Sequence, residues 1–320
     1  SIRMSWVRQW WEFCGGALIL IGAKMREKAE ILDIPLHQLG GPELPYHVVA
    51  IKRGNETLIP RGDDVIKLHD IVYFTTTRKF VPYIRKIAGK EDYADVRNVM
   101  IMGGSRIAVR TAQYVPDYMQ VKIVDNDLNR CNRLTELLDD KTMIINGDGR
   151  DMDLLVEEGL KNTEAFVALT NIDEENVLLT LFAKKHSNGK LVTKVNRLEF
   201  DDILAGLDLG SVVYPKYMTC DYIVQYVRAL QNEAGNNIKT LYRILDDRVE
   251  ALEFTVHEES AATGVPLSQL HLKKNLLLCC ITRGSKILIP RGGDQIQVGD
   301  NVIVVTLEHG LHDLRDIVEH

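Results

Sequence analysis

The segment Val99-Met-Ile-Met-Gly103-Gly104-Ser105-Arg106-Ile107-Ala108 places a glycine turn between a strand-like apolar run and a helix-like stretch. That order suits phosphate binding. In such a turn the first glycine makes the bend, a second small residue lets the backbone approach phosphate oxygens, and a third permits close helix packing. Gly103 takes the first place, Ser105 the second and Ala108 the third, the serine being a departure whose Cβ crowds the phosphate. Asp125 ends the next apolar run, 22 positions after Gly103, where a carboxylate accepts hydrogen bonds from ribose hydroxyls. Asp127 adds a second negative charge that would repel a 2′-phosphate, which disfavours NADP. The bland alternative is a nucleotide-type fold with a dead pocket.

Further polar residues follow other apolar runs. Asp148 stands in Asn-Gly-Asp-Gly, Thr170-Asn171 precede an acidic helix start, and Lys194 and Arg197 follow the fifth run. Ligands of open α/β sheets sit outside the carboxyl ends of the strands, so these residues are candidates for the same site. Asn171 or Asp173 is equally suited to capping the helix, and the two basic residues either meet phosphate or are merely solvated. No His or Lys is placed as an acid or base beside a reacting group, so no catalytic residue is assigned.

These residues need a frame. Six strand-like runs (Val99–Met102, Val121–Val124, Met143–Ile145, Ala165–Leu169, Leu191–Val195 and Val212–Tyr214) alternate with helix-like stretches, the clearest being Asp173 to His186. That alternation predicts an α/β fold with a doubly wound parallel, Rossmann-like sheet. A helix is expected from Thr219 to Ala234.

An internal repeat brackets this frame. IKRGNETLIPRGDDVIKLHDIV from Ile51 and ITRGSKILIPRGGDQIQVGDNV from Ile281 share 12 of 22 positions at an offset of 230. Upstream, Pro35-Leu36-x-Gln38-Leu39 echoes Pro266-Leu267-x-Gln269-Leu270 with a one-residue shift. Each copy reads as a small α+β unit. It has a strand (His47 to Lys52; Leu277 to Thr282), a glycine turn, a return strand ending at proline, and a third strand (Ile71 to Thr75; Asn301 to Thr306). Ile84/Ile87 and Leu314/Ile317 mark a closing amphipathic helix. Arg61 and Arg291 sit in identical IPRG turns, where the simplest role is pairing with Asp70 and Asp300; an interface or anion contact is the other. Because the repeat is a pair, the first copy should have its own nucleotide domain before it. Residues 1–16 are far too few for one, which implies a truncated chain; Trp6, Trp10 and Trp11 would then be the stub of a helix.

Composition narrows the classes. A net charge of −6 argues against a broad nucleic-acid footprint. The apolar run from Ala17 to Ala23 is too short to span a bilayer. Five scattered cysteines form no C-x-x-C pair, so they suggest buried thiols in a reducing cytosol and no metal site; adjacent Cys279 and Cys280 should point to opposite strand faces.

Taken together, VMIMGGSRIA, VKIVDND, INGDGRD, ALTNIDEEN and KVNR resemble the second half of TrkA-type potassium-uptake regulators, whose two RCK (regulator of K⁺ conductance) repeats each join a nucleotide-binding half to a small C-terminal half. The resemblance implies four segments: a stub or linker at 1–16, a first RCK C-terminal module at 17–90, a Rossmann-like nucleotide domain at 97–234 and a second C-terminal module at 240–320. It implies a cytoplasmic homo-oligomer, a dimer or tetrameric ring, on the inner face of the membrane. There it would gate an integral-membrane potassium transporter or channel subunit in response to NAD(H) or ATP/ADP. The matching pocket residues are Gly103, Gly104, Ser105, Arg106, Asp125, Asp148, Thr170 and Lys194. Two other readings are an NAD-dependent dehydrogenase and a cyclic-dinucleotide sensor acting through the small modules.

Overall fold

The computed structural model describes residues 2–39, 44–54, 56–197, 204, 206–232, 238–244, 249–284 and 286–319. They form two compact units, one of residues 1–8 and 91–216, the other of residues 9–90 and 217–320.

The first copy of the repeat is a five-stranded sheet: β1 (Val7–Phe13), β2 (Leu18–Lys24), β3 (Tyr46–Arg53), β4 (Glu56–Leu58) and β5 (Ile71–Thr76), in the order β1-β2-β5-β3-β4. The two leading strands are a correction. The three tryptophans are not in a helical stub, because Val7–Phe13 runs extended, with Trp10 and Trp11 in the strand and Trp6 buried just before it. Aromatic and β-branched side chains favour that pleated, half-buried setting. α1 (Val81–Ile87) closes the copy with Ile84 and Ile87 buried.

The parallel sheet follows: β6 (Asn98–Met102), α2 (Arg106–Tyr114), β7 (Gln120–Asp125), α3 (Leu128–Leu137), β8 (Thr142–Asn146), α4 (Met152–Glu157), β9 (Ala165–Ala168), α5 (Asp173–His186), β10 (Lys190–Lys194) and β11 (Ser211–Val213). The strand order is β11-β10-β9-β6-β7-β8 and every neighbouring pair is parallel. The chain winds outward from β6 to β8, returns to β9 and winds the other way. Alternation in β6 divides the core: Val99 and Ile101 pack with Ala108 and Leu134 on one face, Met100 and Met102 with Leu155 and Leu179 on the other. With both faces covered, the strands are near-continuous apolar runs.

Residues up to the start of β1 belong to this unit. Lys190 Nζ donates to the carbonyls of Met4 (3.2 Å) and Val7 (2.7 Å), and Arg8 pairs with Asp208 at 2.7 Å. Burial lowers the Lys190 pKa to about 7.

α6 (Pro215–Asn232) leads to the second copy; Ala234, its expected end, lies outside the described residues. The second sheet, β12 (Ile238–Ile244), β13 (Val249–Thr255), β14 (Leu276–Arg283), β15 (Lys286–Leu288) and β16 (Asn301–Thr306), repeats the first in the order β12-β13-β16-β14-β15. Its expected closing helix is only a 3₁₀ turn, Leu314–Ile317, with both apolar residues buried. No helix among the described residues is long and apolar enough to cross a membrane.

The two copies share one core. Val49, Ala50 and Tyr73 lie in one cluster with their equivalents Cys279, Cys280 and Ile303, a cluster that also holds Leu18, Leu20, Val249 and Ala251. Cys279 and Cys280 do not point to opposite faces as expected. The register of β14 against β16 slips between Leu278 and Cys280, and this bulge turns both thiols into the shared core; β3 slips at the same place, between Val48 and Ala50. The expected partners of Asp70 and Asp300 are corrected too. Arg53 and Arg283, not Arg61 and Arg291, bind these buried carboxylates, at 2.7 and 2.8 Å. The backbone N–H groups of Arg61 and Arg291 donate instead to Asp64 and Asp294.

Candidate functional site

A cleft of about 780 Å³ opens at the carboxyl ends of the parallel strands, where the winding reverses between β6 and β9. Strands that diverge there leave room between their loops, so this is where such sheets bind ligands. Gly103, at φ +91°, makes the turn; a Cβ there would lie 3.1 Å from the Thr170 backbone. Gly104 is equally constrained, since a Cβ would come within 2.6 Å of a Leu134 methyl. Ser105 then caps α2, its Oγ accepting from the Ala108 N–H at 3.3 Å.

Asp125, only 4% exposed, sits under the turn. Its Oδ2 accepts from the Gly104 N–H at 2.6 Å and from Arg130 Nη1 at 2.9 Å; its Oδ1 accepts from the Asp127 N–H at 2.9 Å and from the same Nη1 at 3.2 Å. The carboxylate thereby holds Arg130 more firmly protonated. Across the cleft, Lys194 is 4% exposed, with long contacts of 3.4 Å from Nζ to the Leu169 carbonyl and to Asn171 Oδ1. Burial lowers its pKa, with Asp173 opposing the shift. Arg106 and Arg133 add positive charge to the lining, Glu175 the other carboxylate. The cleft therefore suits an anion.

Residues 99–215 match the TrkA-N domain and residues 251–319 the TrkA-C domain. The chain carries both domains. Similar proteins include the Trk system potassium uptake protein TrkA of Halomonas elongata, 29% identical over 301 residues, covering 93% of this chain. That of Azorhizobium caulinodans is 27% identical over 300 residues, covering 92%. The chain spans 64% of the length of each. Among solved structures, the GsuK RCK domain superposes with a TM-score of 0.52 at 16% identity, covering 95% of this chain and 64% of that one. The GsuK channel bound to NAD gives 0.51 at 16%, covering 95% and 54%. These two establish likeness of fold. The TrkA-N match falls on the parallel-sheet unit described above, so the chain has a TrkA-N domain of its own.

Within the TrkA-N domain the cleft gathers Gly103, Gly104, Ser105, Arg106, Asp125, Thr170 and Lys194. Asp148 is the exception. It turns away to Arg150, whose Nε and Nη2 lie 3.0 and 2.7 Å from its carboxylate, and that bond lowers its pKa to about 2; the flanking Gly147 and Gly149 line the cleft in its place. Neither Asn171 nor Asp173 caps α5. Asp173 instead accepts from the N–H groups of Asn196 and Arg197, both at 2.8 Å.

Sequence reasoning missed Arg130 and Asn176. Asn176, fully buried, accepts from the Thr170 N–H and donates to the carbonyls of Thr170 and Lys194, which fixes the β9 and β10 ends against each other. Its place one turn into an acidic helix was the available signal.

Ser105 has a structural reason to be serine. Ser105→Ala removes the cap and is expected to cost about 1 kcal/mol of unfolding free energy, read by urea denaturation. An unchanged midpoint would show that the cap is idle.

Proposed function

We propose that this chain is a nucleotide-sensing regulatory subunit of a potassium uptake system, with residues 97–234 as its nucleotide-binding domain and 17–90 and 240–320 as two copies of a C-terminal module. The observation that carries the reading is the cleft at the winding reversal, with the α2 N-terminus on one side and buried Lys194 on the other. Backbone N–H groups at a helix start hold phosphate, and the ammonium adds a charge in a site of lowered dielectric. Relatives named Trk system potassium uptake protein and a fold neighbour titled as a channel bound to NAD support it. The ligand is NAD(H) or ATP/ADP. The partner is an integral-membrane potassium-translocating subunit, met from the cytoplasmic side by a homo-oligomer. A ligand shifts such an assembly only by binding one of its shapes better than another, with a few kcal/mol of difference.

Among the described residues that line the cleft there is no histidine or cysteine, which favours binding over chemistry. Titration calorimetry with ADP, ATP and NADH is expected to give saturable one-site heat. The same samples should neither oxidise NADH nor hydrolyse ATP at the ~1–1000 per second of ordinary enzymes. Turnover in that range would overturn the regulatory reading, and silence with all three ligands would overturn nucleotide sensing.

A further inference from the structure

Asp125 stands where a ribose acceptor belongs, yet its acceptor capacity is already taken. A carboxylate offers about four lone-pair sites. Two are used by the backbone N–H groups of Gly104 and Asp127, which shape the loop. The other two, one on each oxygen, are used by a single nitrogen, Arg130 Nη1. This grip is a bifurcated contact from one nitrogen, not a paired fork, and the Arg130 side chain is 40% exposed at the cleft wall. The backbone bonds are built in; the arginine can leave.

We infer that Arg130 masks Asp125 against bare ribose, so that the cleft selects nucleotides over nucleosides. The inference rests on the nucleotide-binding reading above. Releasing Arg130 frees one acceptor site on each carboxylate oxygen, matching the two vicinal hydroxyls of a ribose. Release also strands a guanidinium whose other carboxylate neighbour among the described residues is Asp127, at 3.5 Å. A ligand that carries phosphate offers that guanidinium a new anion. A nucleoside offers none, and its ribose must displace the arginine uncompensated. Arg130 thus acts as a specificity-determining residue that opposes the nucleoside and does not oppose the nucleotide.

The test compares adenosine and ADP on the full chain, by calorimetry or saturation-transfer NMR, in the parent, Arg130→Met and Arg130→Lys. Arg130→Met is expected to bind adenosine about tenfold more tightly than the parent while ADP gains nothing or weakens, so the preference for ADP falls about tenfold or more. Arg130→Lys keeps a movable cation and should stay near the parent, which guards against misfolding as the cause. If adenosine binds Arg130→Met no better than the parent, the masking role is wrong even though ADP binds. If the parent binds neither ligand, the masking role and the nucleotide reading fall together.

Discussion

Asp125→Ala is expected to abolish measurable nucleotide binding and to lower the stability of the parallel-sheet unit by about 2–4 kcal/mol. The substitution leaves the buried Gly104 N–H without its acceptor at 2.6 Å. An unsatisfied buried donor costs ~1–3 kcal/mol, and the lost charged contact to Arg130 adds a smaller amount because that side chain is partly exposed. Binding suffers twice, since the ribose acceptor is gone and the turn that presents α2 to phosphate is released. Asp127→Ala is the control. It removes the α3 cap, whose Oδ1 accepts from the Arg130 N–H at 3.1 Å, so it should cost about 1 kcal/mol and leave affinity near the parent value. Urea denaturation and calorimetry on both variants decide the point. Parent-like binding by Asp125→Ala would move the ligand away from this turn.

The second large effect lies in the other unit and depends on acid. His47 in β3 donates to the Cys279 backbone carbonyl, while its Nδ1 is sealed from solvent with no hydrogen-bond partner among the described residues. Burial is the main cause of a folded-state pKa lowered from 6.5 to about 4. Between those values the unfolded chain binds a proton that the folded chain does not. Stability therefore falls as pH drops from about 6.5 to about 4, and this histidine accounts for about 3 kcal/mol of the loss. The equivalent position in the second copy is Leu277, so His47→Leu is a substitution the architecture already contains. Denaturation midpoints should converge for parent and His47→Leu near neutral pH and separate increasingly in acid. Parallel pH curves would show that the ring titrates normally.

Much of the parallel sheet is legible in the sequence because its strands are buried on both faces. Each of the six apolar runs lies within one residue of a strand, and Gly103 marks the turn that opens the cleft. The leading strands of each copy are not legible in that way. β2 is buried along six of its seven residues and lacks alternation, while β13 buries Glu250 and Glu253, charges that break an apolar pattern. The site divides likewise. Residues in the glycine turn are fixed by backbone geometry, which local sequence encodes. The contact of Arg130 with Asp125 depends on how a long side chain crosses from α3 to the β7 end, and Asp148 is drawn off by an arginine two residues away. Neither spacing nor residue type reveals such a choice of partner.

The shared core of Val49, Ala50, Cys279 and Cys280 joins copies carried on one chain. Two separate subunits meeting through these side chains would come apart on dilution, with stability tied to protomer concentration. Here the encounter is intramolecular and its strength follows an effective concentration set by the intervening chain. No concentration term enters their mutual burial, so the two sheets stay paired on dilution even when an assembly of separate chains would fall apart.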